Sequence, residues 1–141
     1  MFKFENVDDL KKLEKEAAFP DRLHEKTIYK SLNRVAKNFP SRPAISFQIT
    51  SKPGSKSETY TWSELHEIVV KAANAFRKVG IKKDDVIAFV LPNCSETAIT
   101  FLAGAITGIV NPINALLEPK QISHILRETN AKAIVTLSPM L

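Results

Sequence analysis

The sequence predicts an α/β fold: a parallel βαβαβ unit with flanking helices and a β-hairpin. Three observations predict it. From Asp85 onward, short apolar runs alternate with helical patterns over short connections, the signature of a parallel sheet with crossover helices. The run Val86, Ile87, Ala88, Phe89, Val90, Leu91 has no polar alternation, as suits a strand buried on both faces. Upstream, a stretch with period-2 alternation and a second short strand flank a loop containing Pro53 and Gly54, as in a hairpin.

The elements follow in order. Residues 1–26 read as a weakly organised N-terminal segment. Within it, 7–18 is expected as a short helix capped by Asn6, with Leu10 and Leu13 on one side and Pro20 as its end. Residues 27–38 read as an amphipathic helix, with Ile28, Leu32, Val35 and Phe39 at helical spacing and Pro40 and Pro43 behind it. Residues 44–50 alternate as a strand with Ile45, Phe47 and Ile49 on one face, and 58–61 return as its partner.

Thr61-Trp62-Ser63-Glu64 matches a capping box, in which the Thr61 hydroxyl accepts from the Glu64 N–H and the Glu64 carboxylate reaches back. The helix it opens is expected to run to about Val79. Leu65, Ile68, Val69, Ala72, Phe76 and Val79 form its apolar side, and Gly80 stops it. After the buried strand, Pro92-Asn93 turns the chain and Ser95 is expected to cap a helix with almost no charged surface. Residues 109–111 read as a short strand. Pro119 opens a helix to about Glu128, with Ile122, Ile125 and Leu126 inward and Asn130 at its end. Residues 133–137 form the last strand. No internal repeat or low-complexity segment occurs.

The chain has 141 residues, one ordinary domain by length, and 44% hydrophobic residues, enough for a core. Its net charge of +5 comes from 20 basic and 15 acidic residues of mixed order. The pairs Arg77-Lys78 and Lys82-Lys83 flank a helix end. No basic cluster with stacking aromatics is visible, so no nucleic-acid partner is expected. Cys94 is the single cysteine, which fits a reducing, cytoplasmic setting and leaves no intrachain disulfide. Residues 1–12 do not resemble a signal peptide. The longest apolar run, 98–110, is too short to span a bilayer, so a soluble protein with no transmembrane segment is expected.

Few residues point to chemistry. His24, His66 and His124 are scattered, and only His66 lies near acids, Glu64 and Glu67, on a polar helix side. Convergent metal ligands are lacking. Cys94 precedes a helix start, where a thiol pKa can fall, but no basic partner accompanies it. The four glycines, Gly54, Gly80, Gly104 and Gly108, do not form a phosphate-cradling loop between a strand and a helix. No catalytic, cofactor-binding or metal residue is therefore assigned within the chain.

A series of phrases nevertheless carries a family likeness. They are Thr59-Tyr60-Thr61-Trp62-Ser63-Glu64-Leu65, then Leu91-Pro92-Asn93-Cys94-Ser95-Glu96 behind the apolar strand. Next come Phe101-Leu102-Ala103-Gly104-Ala105-Ile106-Thr107-Gly108 and Asn111-Pro112-Ile113-Asn114. The last are Glu118-Pro119-Lys120-Gln121-Ile122 and Asn130-Ala131-Lys132-Ala133-Ile134-Val135. In order and spacing, from about residue 27 onward, they resemble the N-terminal region of AMP-forming acyl-CoA synthetases, the adenylate-forming family that includes luciferases and nonribosomal peptide adenylation domains.

The resemblance implies that 27–141 is an incomplete N-terminal part of an AMP-binding domain, the opening part of the large N-terminal domain. It implies a parent enzyme that converts a carboxylic acid and ATP to an acyl-adenylate and then to acyl-CoA. ATP, Mg2+ and CoA are its implied cofactors, and none is expected for this chain alone. The ATP-binding Ser/Thr/Gly-rich loop and the other catalytic motifs of the family are expected after Leu141. Many relatives carry a basic residue where Leu116 stands, which in some approaches the CoA phosphate; Leu116 does not supply that charge. The stretch 111–117 most resembles fatty-acyl ligases, so a fatty acid is the expected acid.

The expected partners are the remainder of the enzyme and the small carboxylic acid, with possible self-association of the piece. Two rival readings are an adenylating enzyme that loads a carrier protein and a stand-alone, non-catalytic partner-binding domain.

Overall fold

A computed structural model describes residues 5–137. Its elements are helices α1 (Val7–Glu16), α2 (Phe19–Arg22) and α3 (Ile28–Asn38), and strands β1 (Pro43–Gln48) and β2 (Ser57–Thr61). Helix α4 (Trp62–Lys78), β3 (Val86–Val90), α5 (Ser95–Thr107), β4 (Ile109–Ile113), α6 (Pro119–Glu128) and β5 (Ala131–Thr136) complete the order. The hairpin β1–β2 is antiparallel, with Phe47 opposite Glu58. The second sheet is parallel, in the order β4-β3-β5. The expected α/β class, with its βαβαβ unit and hairpin, is the observed one.

The central place of β3 explains its composition. With a neighbour on each edge and helices on each face, Ile87 and Ala88 are 0% exposed and Phe89 and Val90 are buried. Burying Ile87, Phe89 and Val90 contributes roughly 1.5–3 kcal/mol apiece. Successive residues of a strand point to opposite faces. Ala88, Val90 and Ile113 form one cluster, covered by Ile122, Ile125 and Leu126 of α6. Ile87 faces the other way, toward α5, where a Cβ built on Gly104 would lie 3.8 Å from its Cδ1. On that side α3, α4 and α5 share a core of Leu32, Leu65, Val69, Ala73 and Ala103. Helices α5 and α6 thus cover opposite faces of the sheet.

Caps fix most helix starts. Asn6 accepts from the backbone N–H groups of Asp8 and Asp9, and Thr27 accepts from Lys30. At α4 both halves of the capping box form: Thr61 Oγ1 accepts from the Glu64 N–H at 3.3 Å, and the Thr61 N–H donates to the Glu64 carboxylate at 2.8 Å. Gly80, at φ +91, takes the left-handed conformation that ends α4.

Several expectations are corrected. Ser95 is not a cap: Cys94 takes the N-cap position, and Ser95 is the first helical residue, with its hydroxyl turned to Glu58. Pro20 does not simply end a helix, because it lies in the first turn of α2, where its missing N–H costs nothing. Val79 is 73% exposed, since α4 stops at Lys78 and Val79 leaves the buried stripe. Ile49 is 85% exposed because β1 ends at Gln48. Ile28 and Phe39, at the ends of the α3 stripe, are exposed, while Leu32 and Ala36 are buried. β4 extends to Ile113 and β5 begins at Ala131, both longer than the apolar pattern suggests.

Candidate functional site: the crevice at the carboxyl ends of β3 and β4

In an open α/β sheet, ligands favour the crevice beyond the carboxyl ends of strands whose following helices leave toward opposite faces. β3 and β4 meet that condition, since α5 follows one and α6 the other. Between their ends lies a cavity of about 500 Å3, lined by Phe89, Leu91, Pro92, Asn93 and Thr97 on one side and by Pro112, Ile113, Asn114, Ala115 and Leu116 on the other.

Local chemistry sets the two loops that frame it. After β3, the Thr97 hydroxyl donates to the Pro92 carbonyl at 2.5 Å, and Cys94 Sγ lies 3.3 Å from Thr97 Oγ1. These contacts hold the turn that presents Asn93. After β4, the Asn114 side chain accepts from the Leu116 N–H at 3.0 Å, and its carbonyl accepts from the Leu117 N–H. Leu116 stands 91% exposed on the rim. The lining is neutral, with Asn93, Thr97 and Asn114 as its polar side chains.

A second groove of about 580 Å3 shares Phe89, Asn93 and Thr97 with the crevice and runs to Ile45 and Phe47 of the hairpin. Glu58 on β2 accepts from the Ser95 hydroxyl and, at 2.7 Å, from the Tyr60 hydroxyl. These bonds, Ser95 first, hold the Glu58 carboxyl below its usual pKa, while the same carboxylate raises that of Tyr60. A carboxylate at the first turn of α5 also meets the positive end of the helix dipole. At the opposite end of the sheet, Asp85 is held low by the Lys82 N–H, 2.6 Å away, and by Lys132 at 3.0 Å.

No set of His, Cys, Asp and Glu residues among the described ones could hold a metal ion. His24 and His124 are exposed, and His66 sits on α4 with its ring 6.1 Å from that of Tyr29. No helix among the described residues is long and apolar enough to cross a membrane. The sequence did not reveal Asn93, Thr97 and Asn114 as neighbours, because their meeting depends on the strand order. It did contain one signal, the two polar turns that directly follow the apolar strands.

Known proteins share the sequence pattern and the fold. The family model described as AMP-binding enzyme matches residues 32–140. A marinolic acid–CoA ligase of Pseudoalteromonas sp. (strain SANK 73390) is 31% identical over 134 residues, covering 95% of this chain and 20% of that protein. The Mycobacterium tuberculosis fatty acyl CoA synthetase superposes with a TM-score of 0.69 at 23% identity, over 81% of this chain and 22% of that one. The Klebsiella oxytoca NpsA N-terminal subdomain, in complex with 3-hydroxybenzoyl-AMSN, gives 0.70 at 21% identity, over 85% and 28%. The chain therefore spans about a fifth of the curated relative and 22% and 28% of the two solved chains.

Proposed function

The chain belongs to the AMP-binding enzyme family, and we propose that it forms the opening α/β unit of an ATP-dependent acid–CoA ligase acting on a fatty acid. The observation that carries this reading is the similarity to a CoA ligase along 95% of the chain. The proposed reaction joins the acid to AMP with release of pyrophosphate, and the CoA thiol then displaces AMP to give acyl-CoA.

The residues present do not fit the charged cofactors. A triphosphate with Mg2+ needs cations, acidic metal ligands or a nest of backbone N–H groups, because its transfer chemistry rests on charge stabilisation. The crevice offers Asn93, Thr97 and Asn114 and no charged side chain. Leu116 on its rim gives no cation to a CoA phosphate. The chain's own part is structural: β3 and β4 present two fixed polar turns at the crevice, and ATP, Mg2+ and CoA are assigned to residues outside 1–141.

CoA rather than a carrier protein as acceptor is favoured by the name of the relative matched along nearly the whole chain. A fatty acid is favoured by the resemblance of 111–117 to fatty-acyl ligases. The test is AMP formation by the gene product that carries these residues, with ATP, Mg2+, CoA and a panel of acetate, octanoate, palmitate and coumarate. The highest kcat/KM is expected with octanoate or palmitate. Preference for acetate or coumarate would overturn the fatty-acid assignment, and no AMP with any acid would overturn the ligase reading.

A further inference from the structure

The segment from Arg77 to Lys83 carries four cations and no acid. It forms the turn between α4 and β3, at the end of the sheet opposite the crevice. Ile81 alone in it is buried, while Arg77, Lys78, Val79, Lys82 and Lys83 are exposed. None of the ion pairs among the described residues uses one of these four cations. Of the two acids that follow, Asp85 is committed to the Lys82 N–H and to Lys132, and exposed Asp84 leaves the four cations in excess.

Apolar surface lies among these charges. Val79 projects at the tip of the turn, and Ile109 at the start of β4 is 51% exposed. Ile109 also lines a cavity of about 630 Å3, with Val70, Ile106 and Tyr29 among its lining and Arg77 and Lys83 outnumbering its one acid, Asp84. An apolar hollow with cations beside it, next to an exposed aliphatic tip, matches the two requirements of a peripheral membrane contact. Apolar groups enter the headgroup region, and Lys or Arg side chains meet anionic lipid. Nucleic acid fits less well, because single-strand binding stacks successive bases on several aromatic side chains, and Tyr29 is the one aromatic residue in the lining of this cavity.

We infer that the α4–β3 turn docks this chain on a membrane surface rich in anionic lipid, with Arg77, Lys78, Lys82 and Lys83 meeting headgroups and Val79 entering the interface. The inference does not depend on the ligase reading, since it concerns the opposite end of the sheet.

The test is co-sedimentation of the 141-residue chain with vesicles of phosphatidylcholine alone or with a quarter phosphatidylserine. Binding is expected only to the anionic vesicles and is expected to be lost in about 1 M salt, where screening is nearly complete. The charge-reversed pair Lys82→Glu and Lys83→Glu should weaken it at least about ten-fold, since each cation near an anionic surface matters. Val79→Asp should weaken it as well. The control pair Lys11→Glu and Lys12→Glu on α1 makes the same change in net charge and should leave binding within about two-fold. Equal loss in the control pair, equal binding to neutral vesicles, or tighter binding to duplex DNA or RNA at the same salt would each overturn the inference.

Discussion

The carboxylate of Glu58 accepts a hydrogen bond from the hydroxyl of Ser95, joining the hairpin to the first turn of α5 across 37 positions of sequence. Cys94, the cap residue of α5, makes no side-chain cap bond, so Glu58 fixes that helix start from outside. Its lowered pKa gives a sign to the pH dependence. A depressed carboxylate contributes stability that is present above its unfolded value, near 4.5, and lost as pH falls through the lower folded value. As pH falls below about 4.5, the urea midpoint of the wild-type chain should therefore fall more steeply than that of Glu58→Gln. Parallel curves would show that the Ser95 and Tyr60 bonds do not favour the ionised form.

Thr61 is the cap of α4, and both halves of its box are formed. Thr61→Ala should destabilise the chain by about 0.5–2 kcal/mol, measured from the denaturant midpoint. An unchanged midpoint would mean that Thr61 does not hold the helix start.

Gly108 sits where α5 runs into β4. A Cβ there would lie 2.5 Å from the Asp85 carbonyl oxygen and 2.9 Å from that of Lys82. Both contacts are with backbone, which cannot swing aside as a side chain can. Gly108→Ala should cost about 1–3 kcal/mol, as overpacking does in a close-packed interior. A midpoint within about 0.3 kcal/mol of wild type would contradict this close approach.

Much of this fold was legible from local pattern. The capping box, the stop at Gly80, the central strand and the helix opened by Pro119 all follow from residues next to one another. What was not legible came from distance. Ser95 looked like a cap because serine favours that position, but a carboxylate 37 residues upstream draws its hydroxyl away. Thr100 and Thr107 of α5 are buried while Phe101 is exposed, because the small side of the helix faces α3, α4 and the sheet. Thr107 satisfies its hydroxyl on the Ala103 carbonyl, which lets a polar residue sit inside. The crevice itself depends on β3 lying between β4 and β5, a long-range fact that periodicity does not encode.

The sheet leaves two outer strands. β4 contains Pro112, which has no N–H to offer a further strand, whereas β5 has an unpaired outer edge and an exposed Ile134 among the described residues. The isolated chain should therefore associate as its concentration rises. Light scattering across a concentration series is expected to show mass increasing above the monomer. A monodisperse monomer at high concentration would mean that the chain closes its own core.

The most direct measurement is pyrophosphate release by the 141-residue chain itself, incubated with ATP, Mg2+, CoA and fatty acids. The crevice carries no charged side chain, and the described residues form no metal-binding group. The expected result is no pyrophosphate above a protein-free blank, whereas a protein carrying these residues together with the family's ATP-binding motifs should form AMP. Acid-dependent turnover by the chain alone would contradict the proposal that it supplies the opening unit of the domain and no catalytic group.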